Sequence, residues 1–388
     1  MPKPISTLLS ATAVVCALGG APVHAREGFS AGTNGLTYRT DDVKVNLGGR
    51  LHWDAVQIDD DGVDSSDQDI RRARLELSMR FLDDWRLRVD REFTNDGAWR
   101  NVWLSYDVNR RIRLKGGNFI APFSMEDLGG SNDSMFIERS LAHALAPGYG
   151  KGVSASYEGR HFGVSGGYFT DAIDDEDSIQ AEKGNGVSMR ATWNPIERRR
   201  QKVHLGIGFD RRVFDNDESR LISSRPEAYF APTVLTTGAL TNLDKSTSYN
   251  LEAAYSLGPV LVQGQYISTD LDGSGGGDLK LDGYYVQAGW VLTGERHLYS
   301  DSAGTFVGIK PRHEWGAVEL AVRLSALDLG EAGASRSGDA DDWSAGVNWY
   351  LGRNFRLMAN LVHADVDAVN PARDRDMDIL QTRAQLNF

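Results

Sequence analysis

Four arginines set the first question. Arg50 stands in Gly49-Arg50-Leu51, and Arg71, Arg72 and Arg74 crowd into Arg71-Arg72-Ala73-Arg74-Leu75. A guanidinium is charged at every working pH and donates two parallel hydrogen bonds from a planar fork, so clustered arginines suit the capture of oxyanions such as phosphate. The bias runs through the chain, which carries 33 Arg against nine Lys. Other chemistries find less support. Seven histidines beyond residue 25 (His52, His143, His161, His204, His297, His313 and His363) are scattered. None sits in a His-Glu-x-x-His or Gly-x-Ser-x-Gly pattern, and no pair has ligand spacing on one face. Neither a catalytic set, a metal site nor a cofactor is expected, and nothing points to nucleic acid. The run Gly273-Ser274-Gly275-Gly276-Gly277 lacks the lysine of a phosphate loop and reads as a flexible tip.

The elements that must hold these arginines follow from composition. The 388 residues include 42 Gly, 9 Trp, 13 Tyr and 14 Phe, with 41% hydrophobic residues and a net charge of -12. That excludes a disordered tail and a disulfide scaffold. No stretch after residue 25 approaches about 18 uninterrupted apolar residues, which excludes a helical membrane protein. Residues 1–25 read as a signal peptide, with Lys3, an uncharged stretch Ile5 to Gly20, and Val23-His24-Ala25 at the cleavage site. Residues 26–388 would then be the mature unit. It loses the single cysteine, Cys16, and carries 41 basic against 54 acidic residues, or -13.

Strict alternation dominates that unit. Val43, Val45, Leu47, Gly49, Leu51 and Trp53 take one face of a strand, and Lys44, Asn46, Gly48, Arg50, His52 and Asp54 the other. The pattern recurs at Leu75, Leu77, Met79 and Phe81, at Val318, Leu320, Val322 and Leu324, and through Leu380, Thr382, Ala384, Leu386 and Phe388. About sixteen such segments are joined by connections of alternating length. Asp83-Asp84, Asn109-Arg110, Gly159-Arg160, Gly258-Pro259 and Gly352-Arg353-Asn354 are tight. Residues 55–69, 120–150, 171–184, 214–246, 270–281 and 329–341 are long and polar, and 294–315 is a long connection on the tight side.

This is the layout of an all-β fold, a 16-stranded antiparallel transmembrane β-barrel, closed because lipid offers no partner for unpaired backbone groups. Charged inward positions imply a water-filled lumen rather than a packed core. By parity Arg50, Arg72 and Arg74 face the lumen, as do Lys44, Arg86, Arg88, Arg113, Lys115, Arg190, Arg212 and Arg323. Arg71 points outward by strict alternation but sits at a loop end, where it could curl in. Each charge could instead be a wall charge paired with a neighbour, as Asp90 or Glu92 with Arg86 or Arg88.

The two arginine motifs, with Gly117-Asn118-Phe119-Ile120-Ala121-Pro122-Phe123-Ser124, resemble the phosphate-selective porin O and P family. So do Met135-Phe136-Ile137-Glu138-Arg139-Ser140-Leu141, Leu292-Thr293-Gly294-Glu295-Arg296, Trp315 to Arg323, Asn348-Trp349-Tyr350-Leu351 and Arg383-Ala384-Gln385. The resemblance implies a homotrimeric porin of the Gram-negative outer membrane, with a loop folded into the lumen. It also implies a long periplasmic connection entering from below. The family's constriction arginines would here be Arg50, Arg71 and Arg72; Arg74, Arg113 and Arg323 join them as candidate anion-binding residues.

The constriction loop is expected within 120–150, with Met135–Leu141 as a short helical turn packed on the inner wall. Glu138 and Arg139 read as a local ion pair, with eyelet charges as the alternative. Two acidic segments oppose an anion path: Asp59, Asp60, Asp61, Asp64, Asp67 and Asp69, and Asp171, Asp174, Asp175, Glu176, Asp177 and Glu182. They would repel anions at the mouth, or bridge lipopolysaccharide phosphates through divalent cations. The expected function is a channel without enzymatic activity for phosphate, polyphosphate or other small anions. A general or cation-tolerant diffusion porin, or an adhesive barrel, is the alternative.

Overall fold

Alternating side chains produce sixteen strands, β1 to β16, that close on themselves. The computed structural model describes residues 28–94, 97–173, 184–215, 219–273 and 277–388. Residues 1–25, the acidic run Asp174 to Glu182, and part of the Gly273–Gly277 tip lie outside them. The first half of the wall is β1 Val43–Asp60, β2 Val63–Phe81, β3 Trp85–Glu92, β4 Ala98–Asp107, β5 Ile112–Ile120, β6 Tyr149–Glu158, β7 Phe162–Thr170 and β8 Asn185–Arg198. The second half is β9 Gln201–Val213, β10 Leu243–Leu257, β11 Val260–Gly273, β12 Leu279–Val291, β13 Ala317–Asp328, β14 Gly338–Leu351, β15 Phe355–Ala368 and β16 Arg375–Asn387.

Every neighbouring pair is antiparallel, and β16 returns to β1 through Asn387↔Arg50 up to Met377↔Asp60. Closure has a local demand. The Gly49 N–H donates to the Phe388 carbonyl at 2.8 Å, and the Phe388 N–H to the Gly49 carbonyl at 3.0 Å. A Cβ at Gly48 would lie 2.6 Å from the Phe388 carbonyl oxygen, so a side chain there would push the seam apart. An amino-terminal hairpin, Gly28–Gly32 with Gly35–Arg39, adds to β1 through Leu36↔Leu47 beneath that seam. Sequence periodicity gave no sign of it.

Outward positions such as Leu51, Trp53, Leu205, Ile207, Leu251, Val322, Leu324 and Leu361 are exposed and apolar, the band expected to meet lipid. The expected loop 55–69 is instead a β-hairpin. β1 and β2 pair up to Asp60↔Val63, and the turn is Asp61-Gly62, both at positive φ (51° and 83°). Between β12 and β13 the long connection holds a small hairpin, His297–Ser300 with Thr305–Ile309.

The lumen is not lined by charge throughout. Toward the long-loop rim its wall turns apolar: Val56, Ile58, Ile267, Leu271, Leu281, Leu327, Val362, Val366, Met377 and Ile379 all point inward and are buried. They pack against Phe123, Leu141 and Leu145 of one loop and Ala228, Ala231, Val234 and Leu235 of another. The expectation that the lumen holds no packed core is corrected for this part of it. Two loops, 121–148 and 219–242, fill part of it with a dry core.

Candidate functional site

The first inward loop, 121–148, hangs from one side of the barrel. Asn250 Nδ2 on β10 donates to the Phe123 carbonyl (2.8 Å) and Asn348 Nδ2 on β14 to that of Met135 (2.9 Å). Arg383 on β16 donates to the Ile137 carbonyl (2.7 Å), and the Leu141 N–H donates to Ser325 Oγ on β13 (2.8 Å). From below, Gly308 N of the small hairpin donates to Asp133 Oδ1 at 2.9 Å, and Thr305 Oγ1 to the Met125 carbonyl at 3.3 Å. The connection between β12 and β13 thus braces the loop.

The loop's helical turn is Met125–Leu128, capped by Ser124, with a 3-10 turn at Leu141–Leu145. Met135–Ser140 is not helical, which corrects the expectation of a turn over Met135–Leu141. Met135, Phe136 and Ile137 are nevertheless buried against the wall. Glu138 and Arg139 do not pair with each other either. Glu138 accepts from Arg71 (2.9 and 3.2 Å) and from Arg383 (3.0 Å), while Arg139 approaches Asp127 at 3.4 Å. Burial alone would raise the Glu138 carboxyl, but the guanidiniums of Arg71, Arg383 and Arg72 hold it well below the usual carboxylate range.

Cross-strand pairing brings four of the six candidate arginines together. Arg50 lies opposite Arg74, and His52 opposite Arg72. The ladder then slips: Trp53 pairs with Ile70, so Arg71 is the extra residue of a β-bulge. That slip turns Arg71 inward beside Arg72, against strict alternation. Arg50 donates to Glu76 (2.7 Å from Nε) and to Ser131 Oγ (2.9 Å), so the loop tip reaches this wall. Arg74 pairs with Glu92 (3.1 Å), both buried. Arg113 lies nearer the tight-turn rim and pairs with Asp107 (2.5 Å). Arg323 sits apart on β13, enclosed by both loops and bound to Glu227 of the second loop (2.9 Å).

Paired cations are the rule. Arg86 shares Asp107, Arg88 bonds Asp90 and Glu76, Arg190 bonds Glu252, and Arg212 bonds Asp210. Among the described residues, Arg72, Arg100 and Lys115 form no ion pair. The Nε of Arg72 and of Arg100 is buried without a hydrogen-bond partner, and the Lys115 ammonium lies 4.7 Å from the Phe119 ring centroid and 5.0 Å from that of Trp103. Lys115 borders a cavity of about 540 Å³ along β3 to β8, lined by seven cationic and four acidic side chains. This open half of the lumen is therefore electropositive.

Parity exposed Lys115, and the alternation of β16 would have exposed Arg383. Arg100 escaped notice because a register shift between Val89 and Arg91 breaks the pattern beside it. Glu227 and Tyr229 lie in a long loop with no periodicity to read.

A sequence profile described as phosphate-selective porin O and P matches residues 45–388. Porin O of Pseudomonas aeruginosa is 26% identical, covering 91% of each chain. Among solved structures, an anion-selective porin from Comamonas acidovorans superposes with a TM-score of 0.58 at 16% identity, covering 89% of this chain and all of that one. The trimer form of OmpT from Vibrio cholerae gives 0.56 at 14% identity, covering 90% of this chain and all of that one.

Proposed function

This chain belongs to the phosphate-selective porin O and P family, and we propose that it forms a water-filled pore preferring small anions, with phosphate or polyphosphate as solutes. It is an outer-membrane channel of the Gram-negative envelope and not an enzyme. The observation that carries the anion reading is the set of unpaired cations. Among the described residues, Arg72 and Arg100 near the constriction, and Lys115 below it, have no carboxylate partner, while Arg50, Arg71, Arg74, Arg86, Arg88 and Arg113 are each matched by one. Two charges 4 Å apart at an effective dielectric of about 20 interact by roughly 4 kcal/mol. Even a third of that is about one decade in relative permeability.

Arg50, Arg71, Arg72, Arg74, Arg113 and Arg323 then divide by role. Arg72 contributes net charge. Arg50, Arg71 and Arg74 offer donors whose charge is balanced, Arg113 lines the inner vestibule, and Arg323 holds a loop. The mature unit is read as residues 26–388 after removal of a signal peptide, set in outer-membrane lipid beside lipopolysaccharide. Assembly is read as a homotrimer, which a boiling-sensitive band on denaturing gels would test.

The deciding experiment is the reversal potential across a KCl gradient in a planar bilayer, repeated with inorganic phosphate. Chloride should be favoured over potassium, and phosphate should depress the chloride current. Replacing Arg50, Arg71 and Arg72 with Ala should weaken or reverse the preference, because it also unmasks Glu76 and Glu138. Cation preference in the unaltered protein would sink the anion reading. The carboxylate pairing of Arg50, Arg71, Arg74, Arg113 and Arg323 favours a general diffusion porin as the second reading.

A further inference from the structure

We propose that Tyr229, carried by the second inward loop, is a positioning residue for the constriction and acts through Arg71. The inference rests on the reading of the lumen as an anion path. A β-bulge permits Arg71 to face inward but does not say where its long side chain points. Two contacts do. Its Nε and Nη2 edge is taken by Glu138 at 2.9 and 3.2 Å, and one face of the guanidinium lies 3.8 Å from the centre of the Tyr229 ring. With one edge and one face occupied, the donors left over are the two of Nη1 and the second of Nη2. A rotamer-rich side chain has become a fixed donor, which binds a passing oxyanion without first losing freedom.

The ring is itself held firmly. Ala228 and Ala231, flanking it, are buried in the apolar core, and the Tyr229 carbonyl accepts a hydrogen bond from Arg225. Two residues earlier, Glu227 accepts from Arg323 Nε (2.9 Å) and Ser344 Oγ (2.6 Å), while its carbonyl accepts from Gln381 (3.0 Å). Glu227 adopts a φ of 31°, in the left-handed region that a side chain disfavours. A backbone kink of that kind persists only where surrounding contacts over-determine it. Here they fix the segment that carries Tyr229, so the second loop reaches the constriction through one aromatic face.

The test is a double-mutant cycle read by the chloride-to-potassium permeability ratio. Tyr229→Phe keeps the face and should match the unaltered protein. Tyr229→Leu keeps apolar bulk without the face and should lower the ratio about three- to tenfold, the range expected for a lost cation–π contact. In an Arg71→Ala background, Tyr229→Leu should add nothing further. Additive lowering in that background, or an unchanged ratio for Tyr229→Leu, would overturn the proposal, as would a Phe variant as impaired as the Leu variant. The underlying reading fails differently. A ratio below one in the unaltered protein, lowered again by Tyr229→Leu only when Arg71 is present, would remove the anion preference and leave the positioning role in place.

Discussion

One half of the lumen is solid and the other is open. Along β10 to β16 and the outer end of β1, two loops press an apolar core onto inward-facing Ile267, Leu271, Leu281, Val362 and Met377. Along β3 to β8 the wall borders an open cavity. The charges obey different rules on the two sides. In the solid half Arg323 and Arg383 each meet a carboxylate with almost no exposure, while the buried Arg356 donates to the Asn132 carbonyl and lies over the Tyr350 ring. In the open half Lys115 and Arg100 have aromatic rings beside them and no carboxylate: Lys115 lies over Phe119 and Trp103, and Arg100 over Tyr149 at 5.7 Å. The lesson is that arginine count says little about selectivity here. The solid half uses Arg323 and Arg383 as structural glue, and the proposed charge preference is assigned to the unpaired cations of the open half.

The largest effect should come from breaking the solid half. Leu235 is fully buried at the heart of the second loop's contact. Leu235→Asp would bury an unpaired carboxylate at a cost of roughly 3–5 kcal/mol, more than a single loop contact can offset. The loop should leave the wall, raising single-channel conductance and lowering the charge preference together. Conductance equal to that of the unaltered protein would mean that the outer lumen is not limited by this loop.

A smaller effect should sharpen the same contrast in the open half. Arg100→Gln and Lys115→Gln each remove an unpaired charge and should lower the chloride-to-potassium ratio severalfold, up to about a decade. The double change Arg74→Gln with Glu92→Gln removes a matched pair and should leave the ratio within about twofold. If the double change moved the ratio as far as Lys115→Gln does, net charge would not be what the open half contributes.

Much of this was legible before any coordinates. Alternation gave sixteen strands, the inward set Arg50, Arg72 and Arg74, and the outward apolar band, because a barrel in lipid translates parity directly into environment. What alternation could not give arose where it stops. The bulge at Arg71 reversed one side chain, and the shift beside Arg91 hid Arg100. Partner choice was illegible as well: Glu138 joins Arg71 across 67 residues, and Glu227 joins Arg323 across 96. The inward apolar run of Val56 and Ile58 continues the parity of Arg50 and Asp54, yet nothing local says that loops rather than water will cover it. The second inward loop has no period, so its Tyr229 was invisible until the packing was in view.

The smallest effect should come from the acidic tip of the β1–β2 hairpin, where the sequence suggested strong opposition to anions. Asp59, Asp61 and Asp64 are exposed there, and Asp60 already faces Arg375 at 3.3 Å. The tip stands eight residues along β1 from the His52–Arg72 pair, or about 26 Å at roughly 3.3 Å per residue. At about 0.15 M salt the screening length is about 8 Å, so these carboxylates are several lengths from the narrow zone. At about 0.01 M it grows to about 30 Å and their field reaches the mouth. Replacing Asp59, Asp60 and Asp61 with Asn should therefore leave the reversal potential unchanged at physiological salt. At low salt it should raise the chloride current by no more than about twofold. A shift at physiological salt as large as that of Arg100→Gln would place the selecting charges at the rim, and the division between a structural half and a selecting half would have to be redrawn around the hairpin.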